Sequence, residues 1–112
     1  QVVVRFYLLL LHRFGTCQYP HVTIVYGDYY AAYEQLLKLG ETKGFELHKA
    51  CCGVGGLYNF NQTRMCGFQG VTACPDPERY IGWDGIHSTQ EAHCMIVDWL
   101  HADLFWKLRC HH

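Results

Sequence analysis

The sequence predicts an α/β fold, and three observations carry that expectation. The run HVTIVY, from His21 to Tyr26, is β-branched and aromatic, the character of a strand. Gly27-Asp28 then turns the chain into a helical stretch, and strand–turn–helix is half of an α/β layer unit. After a long stretch without periodicity, an amphipathic helix closes the chain. The 112 residues, half of them hydrophobic, supply a packed core but no more than one domain, so 1–112 is read as a single domain.

Residues from about Val2 to Phe14 are apolar on most faces, which suits a helix buried in a larger body. The run VVVRFYLLLL is shorter than the ~20 residues of a membrane span, so no stable span is expected. No small-residue cleavage site follows it, so no signal peptide is read there either. The first residue is Gln1 rather than Met, which reads as processing or truncation. Beyond the break at Tyr19-Pro20 and the strand, a helix is expected from about Tyr29 to Leu39, ended by Gly40. From Gly44 to Tyr80 glycines, cysteines, Pro75 and Pro77 dominate, and a stretch this irregular needs fastening. Ser88-Thr89-Gln90-Glu91 then fits a capping box with Ser88 as the cap. Met95, Trp99, Ala102 and Trp106 follow at three- and four-residue spacing, an amphipathic helix to about Lys107 with Asp98 and Asp103 on its solvated face.

Nine basic against ten acidic side chains leave no basic stripe to neutralise phosphates, so a nucleic-acid partner is not expected. Of the seven cysteines, none stands in a Cys-x-x-Cys pair, and the histidines are scattered without ligand spacing. No metal and no cofactor are expected. Disulfides formed along a secretory route explain so many cysteines better than buried free thiols do. Cys51, Cys52, Cys66 and Cys74 are the candidate fasteners of the irregular stretch, with Cys51 or Cys52 paired to Cys66 or Cys74. The sequon Asn61-Gln62-Thr63 points the same way, with Asn61 as a candidate glycosylation site on an exposed loop.

The candidate chemistry lies in Trp83-Asp84-Gly85-Ile86-His87, just before the last helix. An Asp three residues ahead of a His can fold back so that its carboxylate meets the ring, and Gly85 removes a side chain from the turn between them. Such a carboxylate fixes the imidazole tautomer and stabilises the imidazolium formed when the ring takes a proton. By itself Asp-x-x-His is also the spacing of a helix-capping loop with an incidental histidine.

Context separates the two. The string WDGIHSTQEA, preceded by KACCGVGGLYNFN, the Cys66-Gly67 pair and CPDPERY, resembles the C-terminal signature of the plant GDSL esterases/lipases within the SGNH hydrolases. The segment YPHVTIVYGDYYAAYEQLL resembles an earlier strand and helix of that family, so the resemblance runs from about Tyr19 to Trp106. It implies that 1–112 is the C-terminal part of a three-layer α/β/α sandwich with a parallel sheet, a partial domain. It also implies a secreted hydrolase of ester or acyl-lipid substrates. Carried onto this sequence, the catalytic acid and base of the triad are Asp84, orienting the ring, and His87, deprotonating a serine nucleophile.

The departures from the family pattern bear on activity. The family's Gly-Asp-Ser-Leu block is not among these residues, and neither is a Gly-x-Asn or Gly-x-Asn-Asp oxyanion block. The one serine, Ser88, is next to His87, and neighbours on a turn do not face each other. Cys94, two turns into the last helix, is read as facing away from the loop and as a poor substitute nucleophile. The isolated chain is therefore expected to lack efficient esterase activity. The alternative is a non-catalytic module that binds a ligand or protein, associating through an exposed sheet edge.

Overall fold

A computed structural model gives the fold and describes residues 25–109, with side chains to Phe105. The helix expected over Val2–Phe14 and most of the strand over His21–Tyr26 lie outside the described residues, and 25–28 carry no regular structure. The chain divides into two compact units. One runs from Tyr29 to Trp99; of the other, the described residues are 25–28 and those from Leu100 onward. In that second unit Gly27 lies against Leu100 and Leu104, where a Cβ would meet their methyl groups at 3.5 and 3.7 Å.

The Tyr29–Trp99 unit begins with helix α1, Tyr29–Lys43. Its buried residues Ala32, Leu36 and Gly40 recur every fourth position and form one face. Gly40 does not end the helix, as its identity suggests; it is buried within it. A Cβ there would come 2.9 Å from Leu47 Cδ2 and 3.4 Å from Ile81 Cδ1, so the missing side chain lets α1 approach the strands. The stop is Gly44, at φ +70°. The Phe45 amide donates to the Gly40 carbonyl at 2.8 Å and the Gly44 amide to Glu41 at 3.1 Å, the paired bonds of a Schellman cap.

Strand β1, Glu46–Ala50, follows at once and corrects the expectation of an irregular chain from Gly44 onward. Glu, Lys and Ala are poor strand formers, and the strand exists because it pairs in parallel with a distant partner. That partner is β4, Tyr80–Gly82, with Glu46 opposite Tyr80 and Ala50 opposite Gly82. Four steps along β1 match two along β4, so β1 is bulged. The His48 and Lys49 amides donate instead to Glu46 Oε1 at 2.9 and 3.1 Å. The hydrogen bond from His48 leads the causes that hold the Glu46 carboxyl below its ordinary range.

Between β1 and β4, β2 (Cys52–Gly53) and β3 (Thr72–Ala73) form a two-residue antiparallel ladder, followed by a 3-10 turn at Pro77–Arg79. Two disulfides secure this stretch, Cys51–Cys74 and Cys52–Cys66. By loop-closure entropy each is worth about 3 kcal/mol. The adjacent cysteines also extend the sheet contact, since the Cys51 amide donates to Gly82 O and the Cys52 amide to Trp83 O.

Helix α2, Gln90–Arg109, is capped by Thr89 rather than by Ser88. The Thr89 hydroxyl accepts the Ala92 amide at 3.2 Å, and its own amide donates to Ile81 O at 2.9 Å. Ala92 and Ile96 are the buried residues of the helix start, Met95 and Trp99 are half-buried, and Ala102 is exposed. Asp98 is exposed as expected, whereas Asp103 is half-buried. Ile96 and Ile81 are each 1% exposed, so burial of each contributes about 1.5–3 kcal/mol.

Candidate active site

β4 ends at Gly82, and the chain turns through 83–88 before α2 begins. The turn is held at its base by the Trp83 amide, which donates to His87 O at 2.8 Å, and by a bridge between Gly82 and Ser88. Inside it one carboxylate does most of the organising. Asp84 Oδ1 accepts the amides of Ile86 at 2.9 Å and His87 at 2.7 Å. Asp84 Oδ2 lies 2.8 Å from His87 Nδ1. Gly85, at φ +87°, supplies the left-handed step that brings the two side chains to the same side.

The pair is asymmetric in exposure: the His87 side chain is 71% exposed and that of Asp84 13%. Burial pushes the Asp84 carboxyl up, but the hydrogen bonds from the His87 ring and from the His87 and Ile86 amides outweigh it and bring it down to about 2. Asp84 is therefore a carboxylate at neutral pH, an acceptor only, and it favours the Nδ1–H tautomer of the ring. Nε2 is then left with a lone pair and, among the described residues, no hydrogen-bond partner. That is the arrangement of a base able to take one proton.

A groove of about 330 Å³ opens beside the ring, with Tyr33, Tyr58, Phe60, Ile86 and Ser88 in its walls. Two larger grooves, of about 500 and 520 Å³, lie around the disulfide loop and at the start of α2, and neither contains the pair. Cys94, an exposed free thiol, lines the latter with Trp83, not the groove of His87. Among the described residues no three His, Cys, Asp or Glu side chains gather as metal ligands.

Asp84 and His87 are in contact, as an Asp three residues ahead of a His allows, and Cys51 is joined to Cys74 and Cys52 to Cys66. Asn61 is exposed, and its Oδ1 accepts both the Thr63 amide at 2.9 Å and the Thr63 hydroxyl at 2.7 Å. Two neighbours of the site escaped the sequence reading, Asn59 and Phe60. Asn59 sits at φ 50°, and its signal is the residue type: asparagine tolerates the left-handed region better than other side chains.

The chain aligns with acetylajmalan esterase 2 of Rauvolfia serpentina at 45% identity over 94 residues, 83% of this chain and 26% of that protein. Two GDSL esterases/lipases of Arabidopsis thaliana align at 50% and 52% identity, over 71% and 72% of this chain and 21% of each relative. Over these residues the chain belongs to the plant GDSL esterases/lipases. The match is consistent with a C-terminal portion of that family, and the chain spans about a quarter of the length of these relatives. No protein-family model and no solved structure matches the chain. The parallel pair, the two helices and the disulfides are compatible with the C-terminal part of a GDSL/SGNH hydrolase. No helix among the described residues is long and apolar enough to cross a membrane.

Proposed function

We propose that this chain is the acid–base portion of a GDSL-type ester hydrolase, a partial domain of a three-layer α/β/α sandwich. The observation that carries the reading is the 2.8 Å contact between Asp84 and His87 in a chain that matches esterases. Asp84 holds the ring and stabilises its charged form. His87 Nε2 takes the proton of a serine hydroxyl as that oxygen attacks the ester carbonyl, then gives it to the departing alcohol. Water repeats the cycle on the acyl-enzyme and releases the acid. The serine and the oxyanion donors belong to family blocks not found in these 112 residues, so the chain alone supplies a base without a nucleophile. Ser88 is not that nucleophile in this reading, being the immediate neighbour of His87 with its backbone bridged to Gly82.

The substrate class is a carboxylic ester, including acyl lipids; the relative's name speaks of an esterase of acetylajmalan. Two disulfides and an exposed sequon support a secreted protein glycosylated at Asn61. Expression in a secretory eukaryotic host should add a glycan mass that Asn61→Gln removes.

The function is tested by grafting residues 29–109 in place of the matching segment of an Arabidopsis relative. The chimera should hydrolyse nitrophenyl esters and lose activity on the order of 10⁶-fold with His87→Ala. The ungrafted chain should not exceed its own His87→Ala control. A folded chimera indifferent to His87→Ala would overturn the assignment. The runner-up reading, a binding module, draws on the exposed Leu57, Tyr58, Phe68 and Ile86. It predicts ligand capture without turnover even in the chimera.

A further inference from the structure

Phe60 has no part in the chemistry above, yet it touches the centre of the turn that carries it. Its ring lies against Gly85, where a Cβ would collide with it, 2.8 Å from the ring Cγ and 3.1 Å from the Phe60 Cβ. Gly85 is the left-handed residue about which Asp84 and His87 are brought together. A glycine here has many alternative conformations, and the His87 side chain is mostly in water, so within the turn the ring is held by the Asp84 carboxylate alone, whose place depends on the conformation of Gly85. Phe60 is itself 39% exposed, so packing in the core does not account for its place.

The ring is delivered by a rigid segment. Asn59, next to it, is the one described non-glycine residue at positive φ. Its Nδ2 donates to Ala50 O at 2.8 Å while its Oδ1 accepts the Gly55 amide. The Ala50 amide in turn donates to Tyr58 O at 3.0 Å. The loop is closed by Cys52–Cys66, and the Cys52 amide donates to Trp83 O on the other flank of the same turn. The stretch from Ala50 to Cys52 therefore holds both the flank of the turn and the segment that carries the ring.

We propose that Phe60 is a positioning residue: packed against Gly85, it keeps the 84–87 turn in the form in which the Asp84 carboxylate fixes the His87 ring. The inference rests on the acid–base reading of that pair. It predicts that removing the ring leaves the fold in place but frees the imidazole to change tautomer.

Long-range ¹H–¹⁵N spectra of the full chain, taken where His87 is neutral, read the ratio of Nδ1–H to Nε2–H forms directly. The native chain should show the Nδ1–H form in excess. Asp84→Asn calibrates loss of the carboxylate, since an amide N–H facing the ring favours the other form. Phe60→Ala should move the ratio several-fold towards the Asp84→Asn value, with amide signals outside 83–88 little changed. Phe60→Tyr, which keeps the ring, should restore it. If Phe60→Ala does not fold, Phe60→Leu, which keeps apolar volume but loses the ring, is read by the same ratio. A native ratio in a folded Phe60→Ala or Phe60→Leu chain overturns the proposal and leaves the pair intact. A native ratio in Asp84→Asn overturns the acid–base reading itself, and the role of Phe60 with it.

Discussion

Thr89 joins α2 to β4 through a single hydroxyl, which donates to the Tyr80 carbonyl at 2.6 Å and accepts the Ala92 amide at 3.2 Å. The residue is 3% exposed, so water cannot replace either bond. Thr89→Val keeps the shape, removes both, and should lower stability by about 1–3 kcal/mol in urea unfolding. Ser88→Ala should cost less; the reverse order would return the cap to Ser88.

Gly85→Ala should be more damaging than its size suggests. A Cβ at φ +87° is strained by about 1–2 kcal/mol, and here it also meets the Phe60 ring. The expected outcome is a loss of at least about 1 kcal/mol by thermal unfolding, with the His87 ring signals shifted. An unchanged melting temperature would mean that the turn is open in solution.

Acid should open the pair late. The Asp84 carboxyl titrates at about 2 in the folded chain, against about 3.9 in an unfolded one. Because the folded value is the lower, its stabilisation is full above about pH 4 and is lost as pH falls through about 2. The ¹³C signal of the Asp84 carboxyl checks this, and a midpoint near the unfolded value would show that the contact does not form.

Peptide mapping without reduction should recover Cys51 joined to Cys74 and Cys52 to Cys66. Replacing Cys52 and Cys66 together by alanine should cost about 2–4 kcal/mol. Recovery of Cys51 with Cys66 instead would contradict the fold of the 51–74 stretch.

What was legible in the sequence was mostly local. Asp84 and His87 are three residues apart with a glycine between them, so their contact needs only one turn to be right. The start of α2 was placed within two residues, but Ser88 and Thr89 both suit a cap, and the choice is made by the Tyr80 carbonyl, which a linear reading does not see. Gly40 and Gly44 posed the same problem: each suits a helix end, and Leu47 and Ile81 claim the first for packing. β1 was missed because its residues are poor strand formers and its partner is more than thirty positions on. Phe60 was missed for a related reason, since nothing near it in sequence marks a ring meant for Gly85.

The two disulfides are nested, Cys52–Cys66 inside Cys51–Cys74, with separations of 14 and 23 residues. Chain statistics make the inner ring easier to close by about 0.4 kcal/mol, and closing it shortens the path that the outer one must span. The parallel pairing of β1 with β4 joins positions more than thirty residues apart, so it should come after both, as slow, high-contact-order steps do. Because Cys51 and Cys52 are neighbours, a young chain can join Cys51 to Cys66 almost as readily as Cys52, and that isomer leaves the strands no common register. Yield should therefore depend on how quickly misjoined sulfurs are exchanged, and an oxidising compartment equipped with a disulfide isomerase should give far more folded chain than one without it.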